Sequence, residues 1–188
     1  MRVSVAYDFV AKRRSANASI VMDHFGVGFE TGRHVIANGL DLPIEPGDVV
    51  CFTGESGSGK SSLLRAAAAG LSRASDIPAR APASQLSTHN SQRLIDLAAI
   101  ELPDRLVIDA VGLPAGEAMR LLSAVGLGEA RLMLRRPREL SDGERYRFRL
   151  ALALARRPRW IVADEFTATL DRTLAKVVAY NVRRQADR

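Results

Sequence analysis

Residues 2–10, RVSVAYDFV, alternate apolar and polar side chains, the period of a strand with one buried face. SANASIVMDHFG, residues 15–26, reads as a short helix. Residues 25–43 break into short alternating pieces split by glycines, the pattern of hairpin strands. In EPGD, residues 45–48, Pro presets one backbone angle and Gly supplies the unusual one, so the chain turns. VVCFT, residues 49–53, is an apolar run rich in β-branched residues, which predicts a fully buried strand with Cys51 as a packing residue. SSLLRAAAAGL, residues 61–71, is made of strong helix formers with a glycine near its end.

The pattern then lapses. Residues 72–92, rich in Ser, Ala, Pro and Arg, have no apolar period and predict a long mobile insertion. RLIDLAAI, residues 93–100, returns as strand or short helix. PAGEAMRLLSAVGL, residues 114–127, is an amphipathic helix expected to turn Met119, Leu122 and Val125 inward. LSDGERYRFRLALALARRP, residues 140–158, opens a second helix. RWIVADE, residues 159–165, is a buried strand ending in two carboxylates, and RTLAKVVAYNVRRQ, residues 172–185, is the last helix. This order predicts an α/β fold with a mainly parallel sheet flanked by helices, whose ligands sit at the carboxyl ends of strands.

Composition narrows the picture. The 188 residues are 47% hydrophobic, enough for one sizeable core, so residues 1–188 are expected to form a single domain. The net charge of +6 suits an acidic partner such as a nucleotide, a nucleic acid or an anionic membrane surface, and equally a solvated arginine-rich surface. Arg145, Arg149 and Arg156 share a helical spacing near Arg135, Arg136 and Arg138, and surface charge or local pairing with acids is the favoured reading of them over nucleic-acid binding. A single cysteine allows no internal disulfide and fits a cytoplasmic location. No apolar stretch approaches the roughly 20 residues that span a bilayer, so no membrane insertion is expected, and the N-terminus does not read as a signal peptide.

The chemistry sits in three strings. GESGSGKSS, residues 54–62, fits G-x-x-x-x-G-K-[ST] without a mismatch. Gly54, Gly57 and Gly59 let backbone amides approach an anion, with Glu55, Ser56, Ser58 and Ser62 completing the cradle. Lys60 brings a point charge to β- and γ-phosphates, Ser61 offers its hydroxyl to Mg²⁺, and the helix that starts there points its free N–H groups at the phosphates. Asp164 at the later strand end suits a Mg²⁺ ligand acting through water, and Glu165 suits a base for the attacking water. In LSDGE, Ser141 and Glu144 fit a capping box; the same helix start, with the Ser141 hydroxyl and the Gly143 amide, can serve as a second anion site.

GESGSGKSS, LSDGERYRFRLALALARRP and WIVADEFTATLD, in that order, resemble the ATP-binding cassette (ABC) ATPases from about Phe25 to the C-terminus. The middle string is similar to the family's signature motif, with Asp142 for the usual Gly and Glu144 for the usual Gln. The third is similar to a Walker B segment followed by the D-loop ending at Asp171. RPRELSDGERYRFRLALA and ADEF also resemble a soluble subgroup whose members can be joined to an acetyltransferase-like domain. The resemblance implies a P-loop NTPase of ABC type with N-terminal antiparallel strands and a helical subdomain over residues 112–156. It implies an ATP-dependent head-to-tail dimer in which Ser141 and Gly143 contact the γ-phosphate of ATP on the partner, Asp171 reaches across the interface and Glu165 drives hydrolysis. A fused or separate partner domain is a further implication.

This sequence departs from the family pattern in three places. The family's switch histidine follows the last helix, but His24, His34 and His89 all lie upstream, so a chain truncated at the C-terminus or a missing histidine is expected. Glu101 is the polar residue nearest the expected Q-loop position, with Gln85 and Gln92 in the insertion. Phe25 and Phe29 are the options for the base-stacking aromatic, each equally a core candidate. Three readings follow: a Mg-ATP hydrolase acting as motor or switch, an ATP-binding dimerisation module with little turnover, and a DNA-linked ATPase instead of a transporter engine.

Overall fold

The structure, a computed structural model, describes residues 1–9, 15–26, 32–45, 47–75, 94–166 and 170–186. Its chain divides into two compact units. The first comprises Met1–Pro43 and Phe52–Ala67, the second Ile44–Cys51 and Ala68–Arg188.

In the first unit, β1 (Arg2–Phe9) pairs antiparallel with β2 (Gly32–Asp41). The short hairpin pieces expected upstream of residue 43 are thus one ten-residue strand that returns to β1 after α1 (Ala16–Phe25). The α1 ends follow their chemistry. The Ser15 hydroxyl accepts from the Ala18 amide at 3.1 Å, and Gly26 closes the helix in the left-handed region. The β1–β2 register jumps between Val5 and Ala6, which face Ala37 and Val35, so Ile36 is an extra, bulged residue. Phe25, one base-stacking candidate, is 71% exposed at the end of α1 and therefore not a core residue; Phe29 lies outside the described residues.

The helix α2 (Lys60–Ser75) begins in the glycine loop and runs through Gly70, so tertiary context overrides that residue's low propensity. It also takes in the first four residues of the expected insertion, whose remainder lies outside the described residues together with Gln85, His89 and Gln92.

The second unit holds a parallel pair, β3 (Leu94–Asp96) with β4 (Trp160–Val162). Around it lie α3 (Val107–Ala110), α4 (Ala115–Ala124), α5 (Ala130–Met133), α6 (Asp142–Ala155) and α7 (Arg172–Ala186). RLIDLAAI is both things its pattern allowed: β3, then a 3-10 turn at Leu97–Ala99. The core is built from Leu97, Val107, Leu122, Val125, Leu127, Phe148, Leu150 and Val178, all essentially inaccessible. Burying each such side chain stabilises by about 2 kcal/mol. On α6, Phe148, Ala151 and Leu152 recur at i, i+3, i+4, which turns one continuous apolar face inward. The Asn181 amide donates to the Ala124 carbonyl at 2.7 Å, tying α7 to the last turn of α4.

Two packing expectations fail. VVCFT is not a buried strand: Val49 and Val50 are about half exposed, Cys51 is exposed, and no ladder partner exists among the described residues. An apolar β-branched run has a strand's composition, but pairing is a tertiary property, and this run is divided between the two units. On α4, Met119 is 47% exposed while Ala118, Leu122 and Val125 are buried. Positions 118, 122 and 125 form the i, i+4, i+7 stripe, and Met119 lies one step, about 100°, off it. EPGD does turn: the Glu45 amide donates to Asp48 Oδ2, and the Asp48 amide to the Glu45 carbonyl.

Candidate active site

The phosphate loop belongs to the first unit. The Lys60 ammonium bends back over it and donates to the carbonyls of Gly54 at 3.0 Å and Glu55 at 2.6 Å. The Gly59 carbonyl accepts from the Ser62 and Leu63 amides, starting α2. The amides of Gly57, Gly59, Lys60 and Ser61 have no acceptor among the described residues, as the first N–H groups of a helix do not. Gly57 has φ +81°, and a Cβ there would meet nothing within 4 Å, so the loop is open on that side. Free amides, a helix N-terminus and a tethered ammonium together suit a polyphosphate. Ser62 Oγ also receives a hydrogen bond from the Tyr7 hydroxyl of β1.

The signature string and the acidic strand end belong to the second unit. Ser141 caps α6 in a complete capping box: its amide donates to Glu144 Oε2 at 2.7 Å, and the Glu144 amide donates to Ser141 Oγ. That backbone hydrogen bond is the main cause of a Glu144 pKa below the usual carboxylate value; burial opposes it, and the Ser141 side chain, Arg147 and Arg135 assist. Gly143 follows in the first turn of the helix.

Asp164 and Glu165 leave the end of β4 exposed. Glu165 has φ 51°, a left-handed conformation for a side-chain-bearing residue, and its amide donates to Asp164 Oδ1 at 3.1 Å. Such a backbone costs on the order of 1 kcal/mol and is typical of sites that aim a side chain. Asp171 caps α7, its Oδ1 accepting from the Thr173 and Leu174 amides at 2.9 Å.

Tyr146 on α6 packs its ring edge-on against Phe166, 6.5 Å between centroids, and its buried hydroxyl has no hydrogen-bond partner among the described residues. Burial first, then the Asp164 charge, pushes its pKa up to about 12. The buried Arg147 Nε has no partner among the described residues; burial lowers its pKa against the opposing pull of Glu144 and Asp171. No sequence signal marks Tyr7 beside the phosphate loop, or Tyr146 and Arg147 beside the acidic residues of the second unit, because strand pairing and helix packing alone bring each to its place.

The residues present fit Mg²⁺. In the first unit the Ser61 hydroxyl, a hard oxygen donor, has no partner among the described residues; in the second, Asp164, also a hard oxygen donor, engages one oxygen. No cluster of three His, Cys, Asp or Glu occurs among the described residues.

Three of the six arginines have local partners. Arg136 donates to Asp104 at 3.0 Å, Arg145 pairs with Asp142, and Arg149 donates to the Ile100 carbonyl at 3.2 Å. Glu101, the Q-loop candidate, is exposed.

A family model described as "ABC transporter" matches residues 37–168. The lipoprotein-releasing system ATP-binding protein LolD of Novosphingobium aromaticivorans is 38% identical over 161 residues, 74% of this chain and 70% of that protein. The aliphatic sulfonates import ATP-binding protein SsuB 1 of Paraburkholderia xenovorans is 35% identical over 168 residues, 85% of this chain and 46% of that protein. SsuB 2 of Xanthomonas axonopodis pv. citri is 39% identical over 155 residues, 78% of this chain and 51% of that protein. The chain thus spans about half the length of the SsuB relatives. All three carry names of transport systems, and none is named for a DNA-linked process. The likeness carries the family, not the acetyltransferase-joined subgroup.

Proposed function

The chain belongs to the ABC transporter ATP-binding family, and from that premise we propose that it binds and hydrolyses Mg-ATP at a composite site between two head-to-tail copies. It is an ABC-type ATPase domain with the P-loop NTPase fold. Among its described residues no helix is long and apolar enough to cross a membrane. In this proposal it powers a transport system from the cytoplasmic face, with the membrane part supplied by another chain.

The observation that carries the proposal is the phosphate loop, with its free amides at the start of α2 and the Lys60 ammonium held over the loop carbonyls. Lys60 and the free amides of Gly57, Gly59, Lys60 and Ser61 hold the β- and γ-phosphates. Ser61 and Asp164 would hold Mg²⁺, which when bound would neutralise negative charge on the phosphates. Glu165 orients water and accepts its proton as the water oxygen attacks the γ-phosphorus and the bridging oxygen leaves with ADP. Ser141 and Gly143 of one copy contact the γ-phosphate held by the other, where a helix N-terminus favours negative charge. Asp171 lies at the same interface.

The test is ATP turnover against protein concentration with Mg²⁺, for the wild type and Glu165→Gln. A rate that rises more than linearly and is abolished by the substitution is expected. Tight ATP binding without turnover in the wild type would leave an ATP-loaded dimerisation module and overturn hydrolysis.

A further inference from the structure

The β1–β2 ribbon touches the phosphate loop at two points. The bulged Ile36 lies against Gly59, where a Cβ would be 2.6 Å from Ile36 Cγ2. The Tyr7 hydroxyl lies 2.5 Å from Ser62 Oγ, 55 residues away in sequence. The first contact is packing; the second is chemistry. A serine hydroxyl carries one proton and two acceptor lone pairs. The phenol is the more acidic partner and therefore donates. One lone pair of Ser62 is then taken, and its own proton must point elsewhere. A serine in a helix ordinarily returns that proton to the carbonyl three or four residues back. Here the Gly59 carbonyl already accepts two amides, and Ser62 Oγ donates to nothing among the described residues.

We propose that Tyr7 is a positioning residue of the nucleotide site: by donating to Ser62 Oγ it holds the Ser62 hydroxyl as a donor toward a phosphate oxygen of the bound nucleotide. The proposal rests on the reading of the loop as an ATP site. It adds a residue 47 positions upstream of the loop's first glycine, on a strand outside the glycine motif. Tyr7 is 46% exposed, so loss of its hydroxyl leaves the packing of the ribbon intact.

The test is ATP affinity by calorimetry, without Mg²⁺ to suppress turnover, for the wild type, Tyr7→Phe, Ser62→Ala and the double variant, each with its Tm. Tyr7→Phe is expected to weaken ATP binding by about two- to tenfold, the range of one neutral hydrogen bond, at unchanged Tm. In the Ser62→Ala background the same substitution should change nothing further, because its effect passes through the Ser62 hydroxyl. Equal affinity of Tyr7→Phe and wild type would overturn the proposal, whatever the Tm. So would an undiminished loss in the Ser62→Ala background, since Tyr7 would then act independently of Ser62. A wild type that binds no ATP would overturn the assignment of the loop itself, which separates the two failures.

Discussion

Ile36 occupies the space that a side chain on Gly59 would need: a Cβ built there lies 2.6 Å from Ile36 Cγ2 and 2.8 Å from its Cδ1. Gly59 also has φ +87°, a region that L side chains rarely adopt. The glycine is required twice, by its backbone and by its neighbour. Gly59→Ala is expected to destabilise the protein by about 1–3 kcal/mol and to weaken ATP binding. Ile36→Ala in that background should restore only the part due to the clash. Urea denaturation of the single and double variants measures both terms; an alanine variant as stable as the wild type would refute the relationship.

Glu165 keeps a left-handed backbone at the end of the acidic strand. Glycine adopts that conformation freely, so Glu165→Gly should raise stability by about 1 kcal/mol while abolishing turnover. Glu165→Gln retains the strain and should lose turnover at unchanged Tm. Thermal melts paired with phosphate-release assays decide this. A destabilised glycine variant would mean that the strain is not there.

Tyr146 carries a buried hydroxyl without a partner among the described residues, so Tyr146→Phe should leave stability equal or raise it by up to about 1 kcal/mol. The phenol adds an alkaline signature. Its folded pKa of about 12 lies above the ordinary 10.0, so the neutral form is favoured in the fold. That contribution is full below pH 10.0 and is lost as pH rises toward 12. Denaturation across this window should show a shallower decline for the phenylalanine variant than for the wild type.

The Ser141–Glu144 capping box gives the opposite sign in acid. The folded Glu144 pKa lies below 4.5, so its contribution is present above that value and lost as pH falls through the folded pKa. Glu144→Gln should remove part of the acid-induced loss of Tm. Ser141→Ala should cost about 1 kcal/mol at neutral pH through the lost cap. Equal acid sensitivity of the wild type and Glu144→Gln would show that the box does not titrate with folding.

What the sequence determined by itself is chemistry carried by contiguous residues. The glycine loop, the S-x-x-E cap, the Ser15 and Gly26 helix ends and the turn at residues 45–48 are set within a few residues, where hydrogen-bond reach and backbone angles suffice. So is the order of elements from which the α/β class was read. The tertiary structure alone decided the rest. The apolar composition of residues 49–53 could not say whether a strand would pair with it, and Val49 and Val50 stand exposed. Periodicity found the α4 helix, but only packing chose Ala118 over Met119 for the buried stripe. Tyr7 reaches Ser62 because β1 pairs with β2 across a bulge, and Tyr146 comes under the Asp164 charge where its ring meets Phe166, four residues past β4. Such contacts join residues far apart in sequence, and they exist only once burial of apolar surface has brought the elements together.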